Sequence, residues 1–163
     1  MLRHSILAAT LALTAGAASA DTMFTVANTF QDPKMTGDTE ISTIGFSADV
    51  YANQAATVGA DVEIANFVNF YEIDVADDMS TLTMTVSDTA QPANNPMPAN
   101  RFDRYYFTFT GAGPAAATID ADASTAAIAG GASVTVTTTG RLVVAFGEGA
   151  DFTPGNKVVI NLN

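Results

Sequence analysis

The sequence predicts an all-β protein: a single-domain β-sandwich of about eight or nine short, mainly antiparallel strands, with a small closed β-barrel as the alternative. Three observations lead there. Apolar and polar residues alternate in short runs, the pattern of strands whose successive side chains point to opposite faces. Gly, Pro, Asn and Asp punctuate those runs at short intervals. No stretch carries the sustained 3.6-residue period of a long amphipathic helix.

Taken in order, the first strand is Thr22–Phe30, where Phe24, Val26 and Phe30 alternate with Thr25, Ala27 and Thr29. Gln31–Asp38 reads as a polar linker broken by Pro33 and Gly37. Ile44, Phe46, Ala48 and Val50 share one face of a second strand, with Gly45 marking a bulge. Asp61–Val75 fits strand spacing through Val62, Ile64, Val68 and Phe70 and helical spacing through Ile64, Phe67, Val68 and Tyr71. Its Asn, Val and aromatic content favours strands. Met79–Ser87 gives the cleanest alternation, Leu82, Met84 and Val86 against Thr81, Thr83 and Thr85. Asp88–Arg101, with Pro92, Pro96 and Pro98 and Asn94, Asn95 and Asn100, is a long loop, and loops of that length are functional or mobile.

Phe102–Thr110 concentrates Phe102, Tyr105, Tyr106, Phe107 and Phe109, as expected of a central strand with both faces at least partly covered. Asp120–Gly130 is Ala-rich and fits one helical turn or a loop. Ser133–Thr138 and Arg141–Phe146 flank a short turn at Thr139-Gly140. Thr153-Pro154-Gly155-Asn156 has the Pro-Gly centre of a type II turn and leads into the last strand, Val158–Leu162.

The beginning of the chain predicts export. A basic start through Arg3 is followed by the apolar run Ser5–Ala15 and then Ala18-Ser19-Ala20, a small-x-small cleavage sequence. Residues 1–20 are expected to be removed, leaving residues 21–163 as one β domain in the periplasm or outside the cell, with no membrane span remaining. The cut takes away His4, the one histidine, and the sequence has no Cys and no Trp. Ser–His and Cys–His catalysis, zinc sites and disulfides then have no residues to build them. A Ser–Lys pair would need Lys34 or Lys157, which sit in a linker and beside a turn where nothing desolvates an amine. Of six Lys and Arg, five remain after Arg3 is lost, against 17 Asp and Glu, a net −12. So acidic a surface repels phosphate backbones, which excludes nucleic acid as a partner.

Oxygen ligands leave calcium as the metal to consider. One candidate set is Glu72, Asp74, Asp77 and Asp78, and a second is Asp120 with Asp122. Neither has EF-hand spacing, and solvated strand-end charge is the competing reading. A candidate recognition patch is Arg101, Arg104, Tyr105 and Tyr106, two of the remaining cations beside aromatic anchors. A buried aromatic strand is its competitor. The terminal apolar strands Thr22–Phe30 and Val158–Leu162 also suggest self-association through sheet edges. The functional expectation is an exported, non-enzymatic β-sandwich acting as a structural or binding module, its ligand unspecified and no cofactor needed beyond the calcium considered. The alternatives are a surface-fibre or adhesin subunit assembled by strand exchange, and a small outer-membrane barrel.

Overall fold

A computed structural model of the chain describes residues 22–31, 34–36, 39–42, 50–90, 95–99 and 101–163. The leader and its cleavage site before Asp21 lie outside these residues, as do Ile44, Phe46 and Ala48 of the second expected strand. Among the described residues there are twelve strands: β1 (Met23–Gln31), β2 (Lys34–Thr36), β3 (Thr39–Ser42), β4 (Val50–Thr57), β5 (Ile64–Phe67), β6 (Tyr71–Val75), β7 (Thr81–Val86), β8 (Phe102–Phe109), β9 (Ala117–Ile119), β10 (Ala132–Val136), β11 (Leu142–Phe146) and β12 (Lys157–Leu162). A single helical turn, α1 (Ala126–Ala129), precedes β10. Ten strands form two antiparallel five-stranded sheets, ordered β10-β11-β8-β1-β4 and β5-β6-β7-β12-β9, and β2 and β3 pair with each other. The sheets do not close into a barrel; the fold is the expected sandwich.

Alternation along each strand builds the core. The first sheet sends Phe24, Val26, Tyr105, Phe107, Val144 and Phe146 inward, and the second sends Ile73, Val75, Leu82, Met84, Val158 and Ile160, all buried in one continuous cluster. An aromatic knot forms around Tyr71. Its ring stacks on Phe146 with centroids 5.6 Å apart and meets Tyr105 edge-on at 5.1 Å. Such pairs add about 0.5–1.5 kcal/mol each beyond the area they bury.

Asp61–Val75 resolves as a hairpin. Val68 and Asn69, with φ of 54° and 56°, turn the chain between β5 and β6, and the Phe70 N–H donates to the Phe67 carbonyl at 3.0 Å. A β-branched residue in the left-handed region is strained. The turn persists because it delivers Phe67 and Tyr71, both fully buried, to the knot. The Pro154-Gly155 turn has the expected form: Gly155 lies at φ 83°, and the Asn156 N–H donates to the Thr153 carbonyl at 3.0 Å.

Two expectations are corrected. The Gln31–Asp38 linker contains β2, which pairs with β3. β4 runs from Val50 on through Ala- and Asn-rich sequence in which apolar alternation is too weak to be seen, beyond the end expected for the second strand. Neither terminal strand is an edge. β1 lies between β8 and β4, and β12 lies between β7 and β9. Strand exchange through β1 or β12 would therefore break two ladders at once.

Candidate functional site

Parity along β8 divides the recognition patch. Tyr105 shares the inward face with Phe107 and Phe109 and is 1% exposed, so it is a core residue and leaves the patch. Arg104 and Tyr106 take the outward parity with Phe102. The Arg104 guanidinium lies 5.4 Å from the Phe102 ring centroid, and that of Arg141, beside β11, lies 4.8 Å from the Tyr106 ring. A guanidinium this close to a ring face is attracted by the ring's negative face. Arg101 precedes the strand and is half-buried.

The surrounding strands give this face an unusual charge. β1, β4, β10 and β11 contain no Asp or Glu, and the one carboxylate of β8, Asp103, turns inward. Thr25, Thr108, Ser133 and Thr135, all exposed, add hydroxyl groups. The Thr29 hydroxyl lies 3.5 Å from that of Tyr106. A chain with 17 acidic residues thus presents one sheet face with no carboxylate among its described side chains, where arginine, aromatic rings and hydroxyls stand beside Met23, Ala27, Asn53 and Val143.

The acidic sets behave differently. Glu72 and Asp74 alternate with buried Tyr71, Ile73 and Val75 and so project from the outer face of the second sheet. Asp77 and Asp78 sit in the β6–β7 turn, which closes with the Met79 N–H donating to the Ala76 carbonyl at 2.7 Å. Asp78 Oδ1 accepts the Ser80 N–H at 2.9 Å, and hydrogen bonds from Ser80 hold its carboxyl below the usual carboxylate range. Asp74, Asp77 and Asp78 line one open depression of about 500 Å³ with Gly59 and Ser80, and Glu72 stands outside it. Asp120 Oδ1 accepts the N–H groups of Asp122 and Ala123 at 3.1 and 3.0 Å, a local turn whose hydrogen bonds lower its pKa, led by that from Ala123. The Asp122 side chain is exposed. Among the described residues no three His, Cys, Asp or Glu side chains converge as metal ligands.

A buried polar group escaped the sequence reading. Asn28 Nδ2 and the Tyr105 hydroxyl both donate to the Asp103 carboxylate, the latter at 2.5 Å. Burial pushes the Asp103 carboxyl up to about 6 against the pull of those hydrogen bonds. Burial, then the Asp103 charge, raises the Tyr105 and Tyr71 phenols well above their ordinary value. The available signal was parity: Asp103 stands two residues before Tyr105 on the inward face. The Tyr71 hydroxyl is buried beside that of Tyr105 and makes no well-formed hydrogen bond among the described residues. Leaving such a group unpaired costs about 1–3 kcal/mol, so Tyr71→Phe, which keeps the ring contacts, is expected to stabilise the fold by about 1 kcal/mol in urea unfolding. A loss of that size would mean that the hydroxyl has a partner in solution.

The long loop is tied down where it is described. Met97 is buried, its N–H donates to the Ala150 carbonyl at 2.9 Å, and Asn95 Oδ1 accepts the Phe152 N–H at 2.8 Å. A second concavity, about 270 Å³, is lined by Thr22, Met79, Pro114, Leu162 and Asn163 and holds no charged side chain. No described helix is long and apolar enough to cross a membrane. Comparison with protein-family models, curated proteins and solved structures finds no match to this chain.

Proposed function

We propose that this chain is an exported, non-enzymatic β-sandwich acting as a binding module, and that the outer face of its first sheet is the binding surface. The observation that carries this reading is the carboxylate-free face holding Arg104, Arg141, Tyr106 and Phe102. Export rests on the leader pattern of residues 1–20. The non-enzymatic reading rests on the chemistry at hand. Among the described residues, Asp103 carries the carboxyl whose pKa is raised, held between Asn28 and Tyr105, and the two concavities described above pair no nucleophile with a base.

Guanidinium groups set beside aromatic rings and hydroxyls suit a polymer bearing both carboxylates and hydroxyls. The overall negative charge does not forbid such a ligand. No described acidic side chain stands on this face, and exposed charges that meet it through solvent from beyond the screening length of roughly 8 Å at physiological salt are largely screened. Residues 21–163 are expected to bind polygalacturonate and not the neutral glucan dextran in affinity electrophoresis. Arg141→Ala and Tyr106→Ala should each weaken that binding about tenfold, the equivalent of one lost charged hydrogen bond. Absence of binding to the polyuronate, or variants that bind as the parent does, would overturn the reading.

A further inference from the structure

A sandwich of two open sheets has four edges, and here they are β4 and β10 in the first sheet and β5 and β9 in the second. Proteins blunt such edges with short strands, lysine, proline or inward-pointing charge, because unpaired N–H and C=O groups invite another strand. Three of these edges are short, with five residues in β10, four in β5 and three in β9, and β10 runs close against β9 of the facing sheet. β4 is eight residues long, Val-Tyr-Ala-Asn-Gln-Ala-Ala-Thr, with no charge and no proline. A bulge interrupts its pairing with β1 near Asn28, and from Ala52 to Thr57 the register is regular. Asn53, Gln54 and Ala55 are exposed in succession, where a covered strand would alternate. Both sides of the middle of β4 therefore face solvent, and among the described residues no strand pairs with its outer edge.

We propose that β4 pairs antiparallel with β4 of a second copy of this chain across a two-fold axis, joining the two first sheets into one ten-stranded sheet. An antiparallel pair of identical strands is self-complementary, so one edge supplies the whole contact and the assembly closes at two copies. Charge distribution selects this partner. A second copy brings a large negative charge, and most approaches would set acid against acid. Edge-to-edge joining through β4 adjoins β1, which like β4 has no Asp or Glu, and leaves the carboxylates of β6 and the β6–β7 turn on the other sheet. The outer faces of the two first sheets then become continuous.

Light scattering coupled to size-exclusion chromatography on residues 21–163, which include both sheets, tests this at rising concentration. The expected result is a concentration-dependent equilibrium between monomer and dimer. Gln54 lies near the middle of β4 and is exposed, so Gln54→Lys or Gln54→Glu leaves folding intact, with the circular dichroism spectrum as control. Each variant alone sets like charges across the two-fold axis and should weaken dimerisation at least about tenfold. Mixing the lysine and glutamate variants should restore the dimer as a heterodimer. Hydrogen exchange at the amides of β4 should slow as concentration rises. A parent that stays monomeric throughout, or a dimer indifferent to both substitutions, would overturn the proposal. None of these measurements uses a ligand, and Arg141→Ala should leave them unchanged, so the dimer and the binding face stand or fall separately.

Discussion

Truncating Phe107 to alanine is expected to cost about 3–5 kcal/mol, the range for an aromatic removed from a packed core. Phe107 is fully buried on β8, the central strand of the first sheet, and its ring lies 6.1 Å from that of Phe24 on β1. Neighbours on both flanking strands hold the backbone in place, so the cavity has little means to collapse, and the cost belongs at the upper end. Met84→Ala, on the facing sheet and equally buried, should cost about 2–5 kcal/mol. Phe107→Leu should recover most of the loss, which separates cavity formation from a change of fold. Urea unfolding of residues 21–163 measures all three. A cost below about 1 kcal/mol for Phe107→Ala would contradict burial of that face of β8.

Asp103 governs the second large effect, the dependence of stability on pH. Its carboxyl titrates at about 6 in the folded chain and near 3.9 in an unfolded one. The folded state therefore binds this proton more tightly. The resulting stability is fully present below the unfolded value and is lost as pH rises through the folded one, becoming constant above it. Full burial would make the difference about 3 kcal/mol. Asp103 as a residue is half-buried, so solvent screening reduces that to about 2 kcal/mol.

Replacing Asp103 by Asn removes the buried charge and leaves a carbonyl to accept from Tyr105. The variant should therefore gain stability over the parent at pH 7.5 and lose the advantage at pH 4. General relief of acid repulsion also slopes the parent curve, and the difference between the two proteins isolates Asp103. Asp78, Asp120 and Asp151 act in the opposite sense. Local hydrogen bonds depress their pKa values, so their contribution is lost as pH falls through those depressed values. Identical pH profiles for parent and Asp103→Asn would show that the carboxyl is solvated in the folded chain.

Much of this fold is local and was legible in the residues. Thr81–Val86 alternates in the structure as in the sequence, and the Phe102–Thr110 run does lie at the centre of a sheet. Gly155 takes the positive φ that a Pro-Gly turn requires. These features follow from side-chain period and backbone sterics, which depend on near neighbours along the chain. β4 was missed because Ala, Asn and Gln carry little apolar contrast, and the β5–β6 turn because Val68 is not a residue that favours left-handed φ.

The candidate site was legible only in its residue types. Arg104 and Tyr106 are outward and Tyr105 inward because β8 is covered on one side by the facing sheet, a matter of strand parity fixed by burial. Arg141 joins Tyr106 from 35 positions away only because β11 pairs with β8. By itself the sequence determined an all-β fold and the positions of most of its strands and turns, since alternation and turn chemistry act over a few residues, and it left sandwich and closed barrel both open. The tertiary structure decided the order of those strands. It put β1 and β12 inside their sheets and β4 at an edge. It gathered four strands without acids around β8, because strand order is set by which faces bury one another across the whole chain and leaves no mark on any one segment.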